Sequence, residues 1–343
     1  MKIIELRSDT FTQATPEMRE AMKNAIVGDD VYSEDPTINE LQELGAKMLG
    51  KEAALYTPSG VMGNLIALLA HCKPGEEIMI EKSAHIFYFE RGGMASVAGL
   101  LPNLLDSDNG VVKPEHIRAS LRPIAAQDLK TSLLVLENTH NLCGGTASTV
   151  EDMNAASKVA KENGMKVHVD GARLFNAAAY LKVSAKELLA NVDSAMVCLS
   201  KGLCAPVGSL LVGSKDFIAD ARQWRSTLGG SMRQAGHIAA AGIIALTKMV
   251  DRLYIDNENA LYLAQELNKI NGLSVNMTAQ HTNLIYCSID SKLMTAEEFE
   301  ERLGKKGVKV TALKTGMIRL VTHHDVSFED IKEAVEIIKG VCA

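Results

Sequence analysis

Between Glu52 and Gly213, β-rich runs alternate with stretches of helical periodicity, and this alternation narrows the possible folds more than any other feature of the chain. Parallel strands need a long crossover, usually a helix, so the pattern predicts a largely parallel sheet with helices on both faces. The strand candidates are Glu77–Glu81, Gly99–Leu105, Ser132–Glu137, Lys166–Asp170, Ser194–Leu199 and Ser209–Gly213. Open parallel sheets bind ligands in the crevice beyond the carboxyl ends of their strands. That rule makes His85, the Asn138–Asn141 segment, Asp170 and Lys201 the first candidates for a site.

Two short helices precede this region. One starts at Thr15-Pro16, where a capping residue and a proline stand in first-turn order, and the other ends at Gly50. A helical stretch from about Arg233 to Ile270 follows it. The pattern then runs strand, strand, helix, strand, strand, helix, closing on an amphipathic helix from Ser327 to Val341. With 343 residues, 47% of them apolar, the chain suits two domains. These are an N-terminal arm with a large α/β domain over 1–249, and a smaller α+β domain over 250–343.

Composition excludes several classes of function. A net charge of −6 with the signs well mixed offers no basic stripe for nucleic acid. No apolar run approaches the roughly 20 residues that span a bilayer, and the N-terminus lacks the apolar stretch of a signal peptide, so a cytoplasmic protein with no membrane partner is expected. Six cysteines without a CxxC pair read as reduced thiols. Nine histidines, equally dispersed, indicate no metal site.

In Lys166-Val-His-Val-Asp170-Gly-Ala-Arg173 a β-branched strand delivers a carboxylate and then, past a glycine, a guanidinium. Thirty-one residues after Asp170, a second buried-looking strand leads into Ser200-Lys201-Gly202. Alone, an aspartate at a strand end caps the next turn, and a lysine after a strand is a solvated end. Together they suit pyridoxal 5'-phosphate (PLP). The amine can condense with an aldehyde, and the carboxylate can keep a pyridine nitrogen protonated through a charge-assisted hydrogen bond. Such a ring is an electron sink for a carbanion at a substrate Cα. The turn Thr57-Pro-Ser59-Gly60-Val61 opens an apolar helix, whose free N–H groups favour an anion such as the cofactor's phosphate; without the Asp and Lys strands it would read as an ordinary cap.

The segments Leu6-Arg-Ser8-Asp-Thr10, Gly28-Asp-Asp-Val-Tyr32-Ser-Glu-Asp-Pro36-Thr, Pro58-Ser-Gly60, Glu137-Asn-Thr-His140-Asn, His168-Val-Asp170-Gly-Ala-Arg173, Leu199-Ser-Lys201-Gly-Leu-Cys-Ala-Pro-Val-Gly208-Ser, Met232-Arg-Gln-Ala-Gly236 and Ile318-Arg319-Leu-Val-Thr-His closely resemble the low-specificity L-threonine aldolases. These are PLP enzymes of fold type I. The resemblance implies an aspartate aminotransferase-like large domain with a mainly parallel seven-stranded sheet. It implies retro-aldol cleavage of L-threonine, L-allo-threonine and related β-hydroxy amino acids to glycine and an aldehyde. By the same resemblance Lys201 carries the cofactor, Asp170 meets its ring nitrogen, Ser59, Gly60 and Val61 lie at its phosphate, and Arg173 and Arg233 belong to its surroundings. Ser8, Arg173 and Arg319 would hold the substrate carboxylate, which a guanidinium fork matches; the alternative for Arg319 is a surface strand charge. His85 would stack on the ring near the substrate hydroxyl, either taking its proton or only stacking while water does so. A homotetramer is implied, a dimer of dimers in which Tyr32 and Arg233 reach a neighbour's site, the alternatives being an interface aromatic and a helix-start charge. Asn138 and His140 would fix the cleft or stabilise a turn.

Three positions depart from the family pattern. Gln127 stands where a second active-site histidine is common; a glutamine can hydrogen-bond a hydroxyl but cannot take its proton, which bears on threo against allo preference and makes Gln127 a candidate substrate contact. Val61 replaces a threonine, and Ser226 a lysine, with Arg225 a candidate to compensate. Rival readings are a β-eliminating lyase, a serine hydroxymethyltransferase-like enzyme or a phenylserine aldolase, since Asp170 and Lys201 serve any carbanion chemistry. A non-catalytic relative would be expected to lose one of the two, and no GxGxxG supports a dinucleotide.

Overall fold

The computed structural model describes residues 2–122 and 129–343, so Gln127 lies outside the described residues. Its strands are β1 (Ile4–Glu5), β2 (Ala53–Thr57), β3 (Glu77–Glu81), β4 (Leu101–Leu105), β5 (Thr131–Glu137), β6 (Lys166–Asp170), β7 (Ser194–Cys198), β8 (Ser209–Gly213), β9 (Leu273–Val275), β10 (Leu284–Ile289), β11 (Val308–Lys309), β12 (Thr311–Ala312) and β13 (Met317–Val321).

Seven strands form the main sheet in the order β2-β8-β7-β6-β5-β3-β4. β4, β3, β5, β6 and β7 pair in parallel, whereas β8 runs antiparallel to both β7 and β2. Six of these strands match sequence candidates to within two residues. β2 has no counterpart among them, because Ala-Ala-Leu-Tyr-Thr is short and carries little β-branching to set it apart from the preceding helix. Pairing with β8 and burial on both faces decide its conformation.

Alternate residues of the central strands enter separate cores, as the strand period of two requires. Leu134, Leu136, Val167 and Val169 join one buried cluster, while Leu133, Val135, Ile78 and Ile80 pack on the other side with Leu68, Ile86 and Met94. The amino-terminal helices Pro16–Lys23 and Pro36–Leu49 start on prolines behind the caps Thr15 and Asp35, and Gly50 ends the second in the left-handed region.

The stretch after Arg233 is less continuous than its periodicity predicts. The helix Gly236–Ile244 passes through a π turn at Ala245–Met249 and a 3-10 turn at Val250–Arg252 before Leu253–Leu267 resumes. Beyond it, an antiparallel sheet of order β12-β13-β10-β9 packs on the helices Ala296–Lys305 and Phe328–Cys342. β1 pairs in parallel with β11, and Ile4 and Leu6 are buried in this second core with Ile285, Ile318 and Leu320.

Candidate active site

β2, β3, β6 and β7 end at one edge of the main sheet, and the residues that follow them line a cavity of about 300 Å³. β2 contributes Pro58, Ser59, Gly60 and Val61; β3 contributes His85 and Glu90; β6 contributes Asp170 itself and Ala172; β7 contributes Ser200 and Lys201. The parallel pairing brings Asp170, His85 and Lys201 together although 116 residues separate the first and last of them in the chain.

Asp170 is buried, and its carboxylate is held at both oxygens: Oδ1 accepts from Ala172 N at 3.1 Å and Oδ2 from Asn64 Nδ2 at 3.0 Å. The remaining lone pairs can still accept a charged N–H. Asn64 is oriented in turn by a buried chain. Its Oδ1 lies 3.2 Å from His168 Nε2, His168 Nδ1 lies 2.9 Å from Ser194 Oγ, and Ser194 Oγ lies 2.7 Å from His71 Nε2. Burial pushes His168 down to about 3 and His71 to about 4, so both rings are neutral and carry one N–H each. Only one direction then satisfies every contact: His71 donates to Ser194, Ser194 to His168, His168 to Asn64, and Asn64 to the carboxylates.

Lys201 is fixed through its main chain, whose carbonyl accepts from Thr12 Oγ1 at 2.8 Å and Cys204 N at 2.9 Å. Its Nζ has no hydrogen-bond partner among the described residues, which leaves the amine available in the cavity. At the other end Ser59 Oγ caps Met62 N at 3.2 Å, and the N–H groups of Gly60 and Val61 at the start of the helix Gly60–His71 remain unpaired among the described residues. A side chain at position 60 would lie 2.9 Å from Cys198 Sγ and 3.0 Å from Met196 Cε, so glycine lets this helix start sit close against β7. Val61 is exposed at the cavity.

His85 opens a short helix, its N–H donating to Glu137 Oε2 at 2.7 Å. Its Nδ1 lies 3.0 Å from Glu90 Oε1, which also accepts from Asn64 Nδ2 at 2.9 Å. A ring nitrogen of His85 and carboxylate oxygens of Glu90 and Asp170 all lie within 4.8 Å of one another. Burial alone would lower the His85 pKa, but the Glu90 hydrogen bond, with the charges of Asp170 and Glu137, raises it.

The other candidates lie outside that cavity's lining. Arg173 is buried and bidentate on Asp9, with Nε to Oδ2 at 2.7 Å and Nη2 to Oδ1 at 2.6 Å. Burial would raise the Asp9 carboxyl, but Arg173 holds it well below the usual carboxylate range. Arg319 sits on β13 beside Tyr286 of β10, with the neighbouring Ile318 and Leu320 turned into the core. Its Nη2 reaches Asn141 Oδ1 at 3.5 Å, and its Nε is buried without a partner among the described residues. Ser8 caps the turn Asp9–Phe11, accepting from Thr10 N at 3.2 Å. Tyr32 is 71% exposed, and Arg233 is exposed and paired with Asp29 at 3.1 Å. Asn138 ties its loop to Ser148, and His140 binds Glu81 at 2.9 Å. Arg225, the candidate to compensate for Ser226, is buried and donates to Asp30 Oδ2 at 2.6 Å and to the Tyr56 carbonyl at 2.9 Å.

Sequence reasoning assigned no role to Asn64, Glu90, Glu137 or Asp9. A polar residue inside the apolar run Met62–Ala70 was the one signal available for Asn64. Glu90, by contrast, reads as an ordinary helix-end charge.

Comparison with known proteins identifies the family. The sequence model of the beta-eliminating lyase family matches residues 5–290. Low-specificity L-threonine aldolase 1 of Arabidopsis thaliana is 43% identical over 96% of this chain and 94% of its own. The low specificity L-threonine aldolase of Escherichia coli K12 is 41% identical over 96% and 97%. The structure of a Leishmania major threonine aldolase superimposes with a TM-score of 0.84 at 19% identity, covering 99% of both chains, and the fold is that of the fold type I PLP enzymes. The chain therefore belongs to the beta-eliminating lyase family and, within it, to the low-specificity L-threonine aldolases.

Proposed function

We propose that this protein is a PLP-dependent aldehyde-lyase that cleaves L-threonine, L-allo-threonine and related β-hydroxy amino acids to glycine and an aldehyde, acetaldehyde in the case of threonine. The observation that carries this is the cavity lined together by a lysine whose amine has no partner among the described residues, a doubly anchored aspartate and a histidine, beside a helix N-terminus. Each group matches a part of the cofactor: Lys201 its aldehyde, Asp170 its ring nitrogen, the Gly60 and Val61 N–H groups with Ser59 its phosphate, and His85 its ring face. When bound, PLP accepts the electron pair released at the substrate Cα.

The protein's side chains supply the rest. Asp170, held by Asn64 and Ala172, presents its carboxyl group in one fixed orientation. Arg319, whose buried Nε has no partner among the described residues, is suited to a substrate carboxylate, and we assign Ser8 and Arg173 to the same carboxylate. Fixing that carboxylate would orient the bond to be broken and remove much of the entropic barrier. The exposure of Tyr32 and Arg233 supports their reaching a neighbouring subunit in a homotetramer. The interruption at Ala245–Arg252 supports a division into 1–249 and 250–343. Among the described residues no helix is long and apolar enough to cross a membrane; we place the enzyme in the cytoplasm, acting on small molecules.

The test is aldehyde release from L-threonine, L-allo-threonine and phenylserine without folate, alongside the visible absorbance of the lysine-bound cofactor. Activity on most of the three is expected, and Lys201→Ala abolishes both signals. Gln127→His shifts the ratio among substrates; an unchanged ratio removes Gln127 from specificity. Ammonia and a keto acid in place of glycine and aldehyde would refute the aldolase reading in favour of elimination.

A further inference from the structure

Resting on the aldolase reading above, we infer that Glu90 is the positioning residue for His85: its buried carboxylate binds the Nδ1–H, so that Nε2 alone faces the cavity as acceptor of the substrate β-hydroxyl proton. Three observations carry this. The His85 Nδ1 to Glu90 Oε1 distance is 3.0 Å, and the Glu90 side chain is almost fully buried. A carboxylate can only accept here, so the ring proton resides on Nδ1 and the lone pair on Nε2. Nε2 has no hydrogen-bond partner among the described residues, while the ring lines the same cavity as Lys201.

Glu90 is itself held in place. Asn64 uses one amide group to donate to Glu90 Oε1 at 2.9 Å and to Asp170 Oδ2 at 3.0 Å, and His168 fixes which way that amide points. Two carboxylates thus share a site with separate tasks: Asp170 faces the cofactor's nitrogen, and Glu90 serves the proton-transfer side. The charged groups that face His85 are Glu90, Asp170 and Glu137, with Lys201 across the cavity. Burial and the neighbouring Asp170 raise the Glu90 pKa, against the opposing hydrogen bonds from His85 and Asn64.

The step balances without an oxidant or reductant. The hydroxyl proton moves to His85 Nε2, the O–H electron pair becomes the second C–O bond of the aldehyde, and the Cα–Cβ pair stays with the glycine carbon. A proton from solvent forms a second Cα–H in place of the broken Cα–Cβ bond, and the imidazolium, stabilised meanwhile by Glu90, gives up its proton to solvent. The arrangement follows the carboxylate-histidine logic of acyl-transfer triads, in which the acid orients the ring and stabilises the cation that forms.

The experiment is Glu90→Gln in the holoenzyme, measured as kcat and KM for L-threonine against pH, in wild-type and His85→Asn backgrounds. Activity needs Nε2 unprotonated, so the acid limb follows the His85 pKa. Removing an adjacent negative charge moves that limb to lower pH by about one unit or more. The plateau kcat falls about 10- to 100-fold, with KM within a few-fold. In the His85→Asn background the same substitution costs little further, as expected of residues acting as a unit. Histidine ring resonances followed by NMR give the same downward shift for His85 without reference to turnover. An unmoved acid limb and resonance, or an equal loss in both backgrounds, overturns the inference. Should Glu90→Gln shed its cofactor, Glu90→Asp keeps the charge on a shorter reach and places the limb between the two; a limb matching wild type with a 10- to 100-fold lower kcat also overturns it. A wild type that releases no aldehyde rejects the aldolase reading itself, a result distinct from any failure of Glu90.

Discussion

Replacing Asp9 by asparagine tests whether the carboxylate beside Arg173 holds that guanidinium in place. Asp9 and Arg173 are both buried, and Asp9 takes two N–H groups of the guanidinium and one from Asn283 at 3.2 Å. The substitution preserves shape and one acceptor but leaves a buried guanidinium without a counter-charge. Breaking a buried pair from one side costs about 3–5 kcal/mol. At roughly 2.1 cal/mol/K of unfolding entropy per residue, a chain of 343 residues converts this into a midpoint lower by about 4–7 °C in scanning calorimetry. The pH dependence has a definite sign. Arg173 depresses the Asp9 pKa in the fold, so the pair stabilises fully above the unfolded value of about 3.9 and less as pH falls toward the folded value. The gap between wild type and variant is therefore constant from neutrality to about pH 5 and narrows below about pH 4. A shift under about 1 °C at neutral pH, or a gap that does not narrow in acid, would show that Arg173 is neutralised by another group and that Asp9 does not hold it.

Two further substitutions probe the cavity wall and the end of β3. Gly208→Ala adds a Cβ at φ +102° that would lie 2.1 Å from Tyr56 Oη, whose hydroxyl donates to the Val207 carbonyl at 3.1 Å; it should destabilise by about 1–3 kcal/mol, and a melting temperature equal to wild type would contradict the crowding. Glu81→Gln removes a carboxylate that accepts from His140 and Ser83. Burial opposes its ionisation, but these bonds hold it down at about 2. Its stabilisation, roughly 3 kcal/mol, is present above the unfolded value and lost as pH falls toward 2. Denaturant titrations of wild type and variant should therefore differ at pH 7 and converge near pH 2–3; equal stability at pH 7 would refute it.

Much of the site could be read from the linear order of residues. Asp170 and Lys201 follow buried-looking strands whose period and flanking polar residues identify their carboxyl ends, and a right-handed parallel sheet must gather such ends at one edge. Ser59-Gly60 at the start of an apolar helix is likewise a local signal. The strand Ala53–Thr57 and the engagement of Arg225 by Asp30 were not legible, because each depends on a partner distant in sequence.

Local chemistry, then, determined by itself which groups reach the cavity edge and that an amine and a carboxylate are among them, since strand periodicity and turn residues act over a few positions. Only the tertiary structure decided how those groups are tuned. Asn64 meets both Asp170 and Glu90, Glu90 meets His85, and Asp9 meets Arg173 across 164 residues. The reason is physical: a buried charge must find a partner in space, and sequence separation sets no limit on where the fold supplies it.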